Sequence, residues 1–142
     1  MPALVPQLAA IDLLAGLSRP VLDELVNRGS SRRCPPERDL VTEGADDAGL
    51  QLLMEGTAVV LIGGNEVRTL VPGDYFGEMS LIDGAPRSAT VRAGAEGCTT
   101  FTISPLSFWQ VVDANPGMSR ALLVALASRV RELEARGNNP ID

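Results

Sequence analysis

Apolar positions change their spacing twice along the chain. Between residues 6 and 29 they recur every three or four residues. Leu8, Ile11, Leu14 and Leu17 mark a helix opened by Pro6, and Val21, Leu22, Leu25 and Val26 mark a second. Ser18 stands as N-cap of the second helix, Pro20 in its first turn and Gly29 as its terminator. From about 31 to 103 the period shortens to strands. Leu40–Thr42, Leu50–Met54, Thr57–Ile62, Val67–Val71, Ala89–Val91 and Cys98–Ile103 are β-rich, with glycine, proline, asparagine and aspartate between them. Gly63-Gly64-Asn65 is a hairpin signal. Many short strands at close spacing predict a small barrel or jelly roll.

Helical spacing returns at Ser104-Pro105, an N-cap and first-turn proline, and runs through Phe108, Trp109, Val111 and Val112. Asn115-Pro116 repeats the pair and opens a longer helix to about Arg136, ended by Gly137-Asn138-Asn139-Pro140. Leu122, Leu126, Val130 and Leu133 form one stripe along it. That stripe can pack on the chain's own β-zone or pair with a second copy, and both readings stay open. The layout is a single domain over 1–142: helices to about 30, a β-roll over 31–103, helices over 104–136.

Composition narrows the chemistry. Among 142 residues there are 12 basic and 18 acidic side chains, a net charge of −6, and no histidine. Every basic residue is an arginine. A Walker phosphate loop and Schiff-base catalysis need a lysine, and most zinc and general-base sites need an imidazole. Carboxylate-based sites, and recognition by arginine, stay open. The acidic balance argues against nucleic acid as partner. Cys34 and Cys98 are far apart in sequence with no second ligand near either, which reads as free thiols in a cytoplasmic protein. No signal peptide is evident. The longest apolar run, Ala121–Ala127, is far short of the roughly 20 residues that cross a bilayer.

One stretch carries the candidate chemistry, residues 73–91, GDYFGEMSLIDGAPRSATV. Gly73, Gly77 and Gly84 permit close approach of backbone to a ligand. Gly77 to Leu81 can make one helical turn whose N–H groups face an anion. Arg87 follows a Gly-Ala-Pro turn and is suited to gripping a phosphate; Glu78 accepts only, which suits sugar hydroxyls. These residues point to a small phosphate-bearing ligand with a sugar. Glu78 and Arg87 could equally form an ion pair that fixes the loop. Asp74 and Asp83 read as turn-capping residues.

From Phe76 to Val91 the sequence resembles the phosphate-binding cassette of the cyclic-nucleotide-binding domain family, F-G-E-[LM]-[AS]-L-x4-P-R-x-A-[ST]-V, at every fixed position and without insertion. The resemblance extends from about Ile11 to Leu133 and includes Gly44, Gly56, Gly73 and Asn115-Pro116. It implies an α+β, mainly β fold: an eight-stranded β-roll between N-terminal and C-terminal helices. It implies that Arg87 binds the cyclic phosphate with Ser88, that Glu78 accepts from the ribose 2′-hydroxyl, and that Gly77 with the N–H groups near Met79 and Ser80 completes the cradle. Val60, Ile62, Val67 and Leu70 are the candidates for the wall beneath the base, and Leu133 of the last helix for its lid. Relatives with threonine after the arginine favour cyclic GMP; Ser88 here favours cyclic AMP.

Two positions depart from the family pattern. Pro35-Pro36-Glu37-Arg38 stands where a glycine is usual before the strand leading to Gly44, and Gln51 replaces an aromatic or apolar residue. No winged helix for DNA is expected, and a cupin-type metal enzyme is disfavoured without histidine. The expected function is a sensor module, not an enzyme, that relays cyclic-nucleotide binding through its C-terminal helices to an unidentified effector or a second copy. The alternative is an interaction module of the same fold taking another ligand, such as a cyclic dinucleotide, or none.

Overall fold

The computed structural model describes residues 4–46 and 49–138. Its N-terminal layer is α1 (Leu4–Ala9), a 3-10 turn (Asp12–Leu14) and α2 (Arg19–Arg28). The first expected helix is therefore broken, and Pro6 lies inside α1. The second is where the sequence places it, between Ser18 and Gly29.

Six strands follow: β1 (Ser30–Cys34), β2 (Asp39–Val41), β3 (Leu50–Ile62), β4 (Asn65–Leu70), β5 (Tyr75–Phe76) and β6 (Thr90–Ile103). They make one antiparallel sheet in the order β1-β6-β3-β4, with β2 on β6 and β5 on β3. Strands β3 and β6 are 13 and 14 residues long and pair along most of their length. Their register shifts between Leu53 and Glu55 and again between Gly56 and Ala58. Such a bulge bends a strand without ending it. Each long strand thus does the work of two of the eight short strands expected, and the sheet curls into the β-roll. The hairpin at Gly63-Gly64 has both residues at positive φ, 58° and 83°, which a tight two-residue turn of this hand requires.

After β5 comes the short helix α3 (Glu78–Asp83), then β6, α4 (Pro105–Ala114), α5 (Met118–Leu133) and a wider π turn (Glu134–Asn138). Ser104 caps α4 by accepting from the Ser107 N–H at 3.1 Å. The parallel role expected of Asn115 is not observed: Gly117 caps α5. The Asn115 amide instead donates to Val111 O at 2.7 Å and Glu24 Oε1 at 3.2 Å, tying α4 to α2. Asn139 and Pro140, expected to stop the last helix, lie outside the described residues.

Two cores result. Leu8, Leu14, Leu22 and Leu25 of the N-terminal helices meet Phe108, Val111 and Leu122 against Leu52 and Phe101 of the sheet. The second core, inside the roll, gathers Cys34, Val41, Leu53, Leu70, Val91 and Cys98. Leu52 and Leu53, adjacent on β3, serve different cores because strand neighbours point to opposite faces.

Both departures have a local solution. Glu37 is the one non-glycine residue at positive φ (61°) among the described residues, so it adopts the conformation that glycine would make easy. Gln51 is buried, and its Oε1 accepts from the hydroxyl of Thr100, also buried, at 3.2 Å.

Candidate functional site

A cavity of about 700 Å³ opens between the roll and α5. Val60, Ile62, Val67 and Leu70 of the β3–β4 hairpin line it together with Gly77, Glu78, Met79, Ser80, Arg87 and Ser88. Ten of the eleven sequence candidates therefore share one cavity. Leu133 does not line it and is 56% exposed. The residue that α5 sets at the cavity is Arg129, one turn earlier on the same helical face. Arg68 of β4 is a second lining residue that sequence reasoning passed over.

The cassette is held from several sides. Gly77 caps α3 at φ 85°. A Cβ there would collide with the Gly49 carbonyl oxygen and Arg87 Nη1, so only glycine fits. The Ser80 hydroxyl donates to Gly77 O at 2.8 Å and accepts the Gly49 N–H at 3.0 Å. The same oxygen accepts from Arg87 Nη1 at 3.5 Å. Arg87 is only 8% exposed, with its guanidinium 5.8 Å from the centre of the Phe76 ring, within cation–π range. Its main chain is clamped as well: Gly44 N–H donates to Arg87 O at 2.8 Å, and Arg87 N–H donates to Ala45 O at 2.9 Å.

Glu78, the other charged member, accepts from Arg129 Nη1 at 3.1 Å. The carboxylate is the more enclosed partner, at 14% against 37% exposure. Burial pushes the Tyr75 phenol above its ordinary 10.0, with the Glu78 and Asp12 carboxylates adding to the rise. Asp74 and Asp83 cap turns, accepting from Val71 N–H at 2.8 Å and Ala85 N–H at 2.9 Å. Trp109 of α4 donates to Leu81 O at 2.9 Å, linking the C-terminal helices to α3.

Among the described residues no cluster of three or more His, Cys, Asp or Glu side chains is placed to hold a metal. No helix among them is long and apolar enough to cross a membrane. The stripe on α5 divides: Leu122 is buried and Leu126 packs against the helical core, whereas Val130 and Leu133 are exposed.

Residues 31–115 match the family described as the cyclic nucleotide-binding domain. The chain belongs to that family. It is 33% identical over 132 residues to a cyclic nucleotide-gated potassium channel of Rhizobium etli, covering 93% of this chain and 35% of the channel. Over 60 residues it is 52% identical to a cGMP-dependent protein kinase of Toxoplasma gondii, covering 41% of this chain and 6% of the kinase. The chain thus spans about a third or less of these relatives. Among solved structures, the N-terminal domain of a transcriptional regulator from Streptomyces coelicolor superposes with a TM-score of 0.83 at 24% identity, covering 94% of this chain and 99% of that one. That likeness is one of fold.

Proposed function

We propose that this domain is a ligand-operated regulatory module that takes a 3′,5′-cyclic nucleotide, cyclic AMP in the first reading. The observation that carries it is the convergence of Glu78 and Arg87 on one cavity that Val60, Ile62, Val67 and Leu70 also line. Arg87 holds the cyclic phosphate through paired hydrogen bonds, with Ser88 and the N–H groups at Met79 and Ser80 beside it. Gly77 lets the backbone come close. Glu78 takes the ribose 2′-hydroxyl, and the base lies on Val60, Ile62, Val67 and Leu70. Ser88 after the arginine favours adenine in this reading.

Arg129 supplies the relay. The ribose hydroxyl and Arg129 compete for the same carboxylate, so ligand binding loosens the hold of α5 on the cassette and shifts its equilibrium. The movement passes to an effector or a second copy at the exposed part of α5, where Leu123, Val124, Val130 and Leu133 stand open. No catalytic role is assigned.

One observation favours cyclic GMP as a second reading. Arg68 stands on the base wall, 3.8 Å from Asp74, with a guanidinium that can pair with O6 and N7 of guanine. Calorimetric titration with cyclic AMP, cyclic GMP and a cyclic dinucleotide tests both readings. Binding lost in Arg87→Ala supports the cassette assignment; equal binding by wild type and variant overturns it. A preference for cyclic GMP that disappears in Arg68→Ala would establish the second reading over the first.

A further inference from the structure

The register of β1 against β6 places Cys34 directly opposite Cys98. Both are free, both are buried at 3% and 0% exposure, and both face the core inside the roll, so their side chains leave the sheet on the same side. Directly opposed residues hold their Cβ atoms about 4.5–5.5 Å apart, and a disulfide asks for about 3.5–4.5 Å with Cα atoms about 4.4–6.8 Å apart. A shift of a few tenths of an ångström to an ångström joins them. Neither cysteine lines the ligand cavity, so the nucleotide site leaves them without a task.

We propose that Cys34 and Cys98 are a redox-modifiable dithiol that closes to an intrachain disulfide under a disulfide-class oxidant, RSSR. This site is independent of the nucleotide reading. The thiolate of Cys34, on the edge strand β1, attacks RSSR; the oxidant's S–S bond breaks and one RS⁻ departs with the Cys34 proton. The thiolate of Cys98 then attacks the Cys34 sulfur. The second RS⁻ leaves and takes the Cys98 proton. The protein loses two electrons, and the oxidant is reduced to two RSH.

The surroundings accommodate the bond. In the dithiol state the Cys34 thiol donates to Arg38 O at 3.6 Å. Oxidation removes that weak donor, yet Arg38 O keeps the Ala93 N–H at 2.8 Å, so the Pro35–Arg38 turn retains its anchor. Burial raises the Cys98 thiol above its ordinary 9.0, and the proximity of Cys34 raises it further. A protonated thiol reacts slowly, which slows the closing attack by Cys98.

The test treats the whole chain with oxidised glutathione, quenches in acid, unfolds, alkylates remaining thiols and weighs the product. The expected wild-type product takes up no alkylating agent and no glutathione, is lighter by two hydrogens, and yields a peptide linking residues 34 and 98. Cys34→Ser and Cys98→Ser instead retain one alkylatable or glutathionylated thiol. The oxidised wild type should melt higher than the reduced by on the order of 5–10 °C, since the link closes a long loop in the unfolded chain. Two alkylatable thiols in folded protein, under conditions that oxidise the urea-unfolded chain, would overturn the proposal. Glutathione on each cysteine, a link between two chains, or a lowered melting temperature would overturn it equally.

Discussion

Arg129 Nη1 donates to Glu78 Oε2 at 3.1 Å, joining two residues 51 positions apart, one on the last helix and one in the cassette. The same carboxylate faces the cavity that Arg87 lines. A partly buried pair at a cavity mouth contributes about 1 kcal/mol, so a ligand hydroxyl can displace it. Replacing Arg129 by methionine should therefore tighten nucleotide binding by up to about fivefold, since the competitor is gone and 1.4 kcal/mol is tenfold. Glu78→Gln should weaken binding despite freeing Arg129. Calorimetry on both variants checks the pair; a weakened Arg129→Met would show that Arg129 contacts ligand and does not compete with it.

Gly77 and Gly84 sit at the two ends of α3, both at positive φ, 85° and 63°. At Gly84 a Cβ meets nothing within 4 Å, whereas at Gly77 it meets Gly49 O and Arg87 Nη1. Each alanine substitution should cost about 1–2 kcal/mol of stability from the left-handed backbone. Gly77→Ala should lose more, and nucleotide affinity should fall at least about tenfold because Arg87 is displaced. Gly84→Ala should bind nearly as wild type. Thermal unfolding and titration, run side by side, separate the two effects.

The buried Gln51–Thr100 hydrogen bond calls for a double-mutant cycle. Thr100→Val removes the donor to Gln51 Oε1 and should cost about 1–3 kcal/mol. Combining it with Gln51→Leu should cost less than the two single changes together, because no polar atom is then left behind. Additive losses in urea unfolding would mean that the pair is not coupled.

Glu37 holds φ 61° while its N–H donates to the carbonyls of Ala93 and Gly94, both at 3.2 Å. A left-handed residue costs about 1–2 kcal/mol, and glycine returns about 0.5–1 kcal/mol of that as unfolded-state entropy. Glu37→Gly should stabilise the domain by up to about 1 kcal/mol, and Glu37→Val should destabilise it. The midpoint of denaturant unfolding reads both.

The segment from Phe76 to Val91 was legible because it repeats a family pattern position by position, and ten of the eleven candidate residues lie together on one cavity. Strand β1 was not legible, since Ser30-Ser31-Arg32-Arg33-Cys34 has one apolar side chain and no alternation to read. Strand β5, two residues long, is too short to carry a pattern. The polar breaks at Glu55-Gly56 and Gly94–Gly97 read as strand ends, although the backbone runs on through its bulges. The resemblance sets Leu133 over the base, on a helix whose rotation the sequence does not fix. One turn earlier, the same face offers Arg129. The Asn115-Pro116 pair looks like a cap in sequence, but Gly117 at φ 97° takes that place.

The adjacency of Leu52 and Leu53 on one continuous strand has a bearing on cooperativity. A strand that anchors the helical layer with one side chain and the roll with the next cannot leave one while staying in the other. The two layers should therefore unfold together, as one cooperative unit. On the proposed binding at Arg87, nucleotide should slow amide exchange as far away as α2, which packs in the other core.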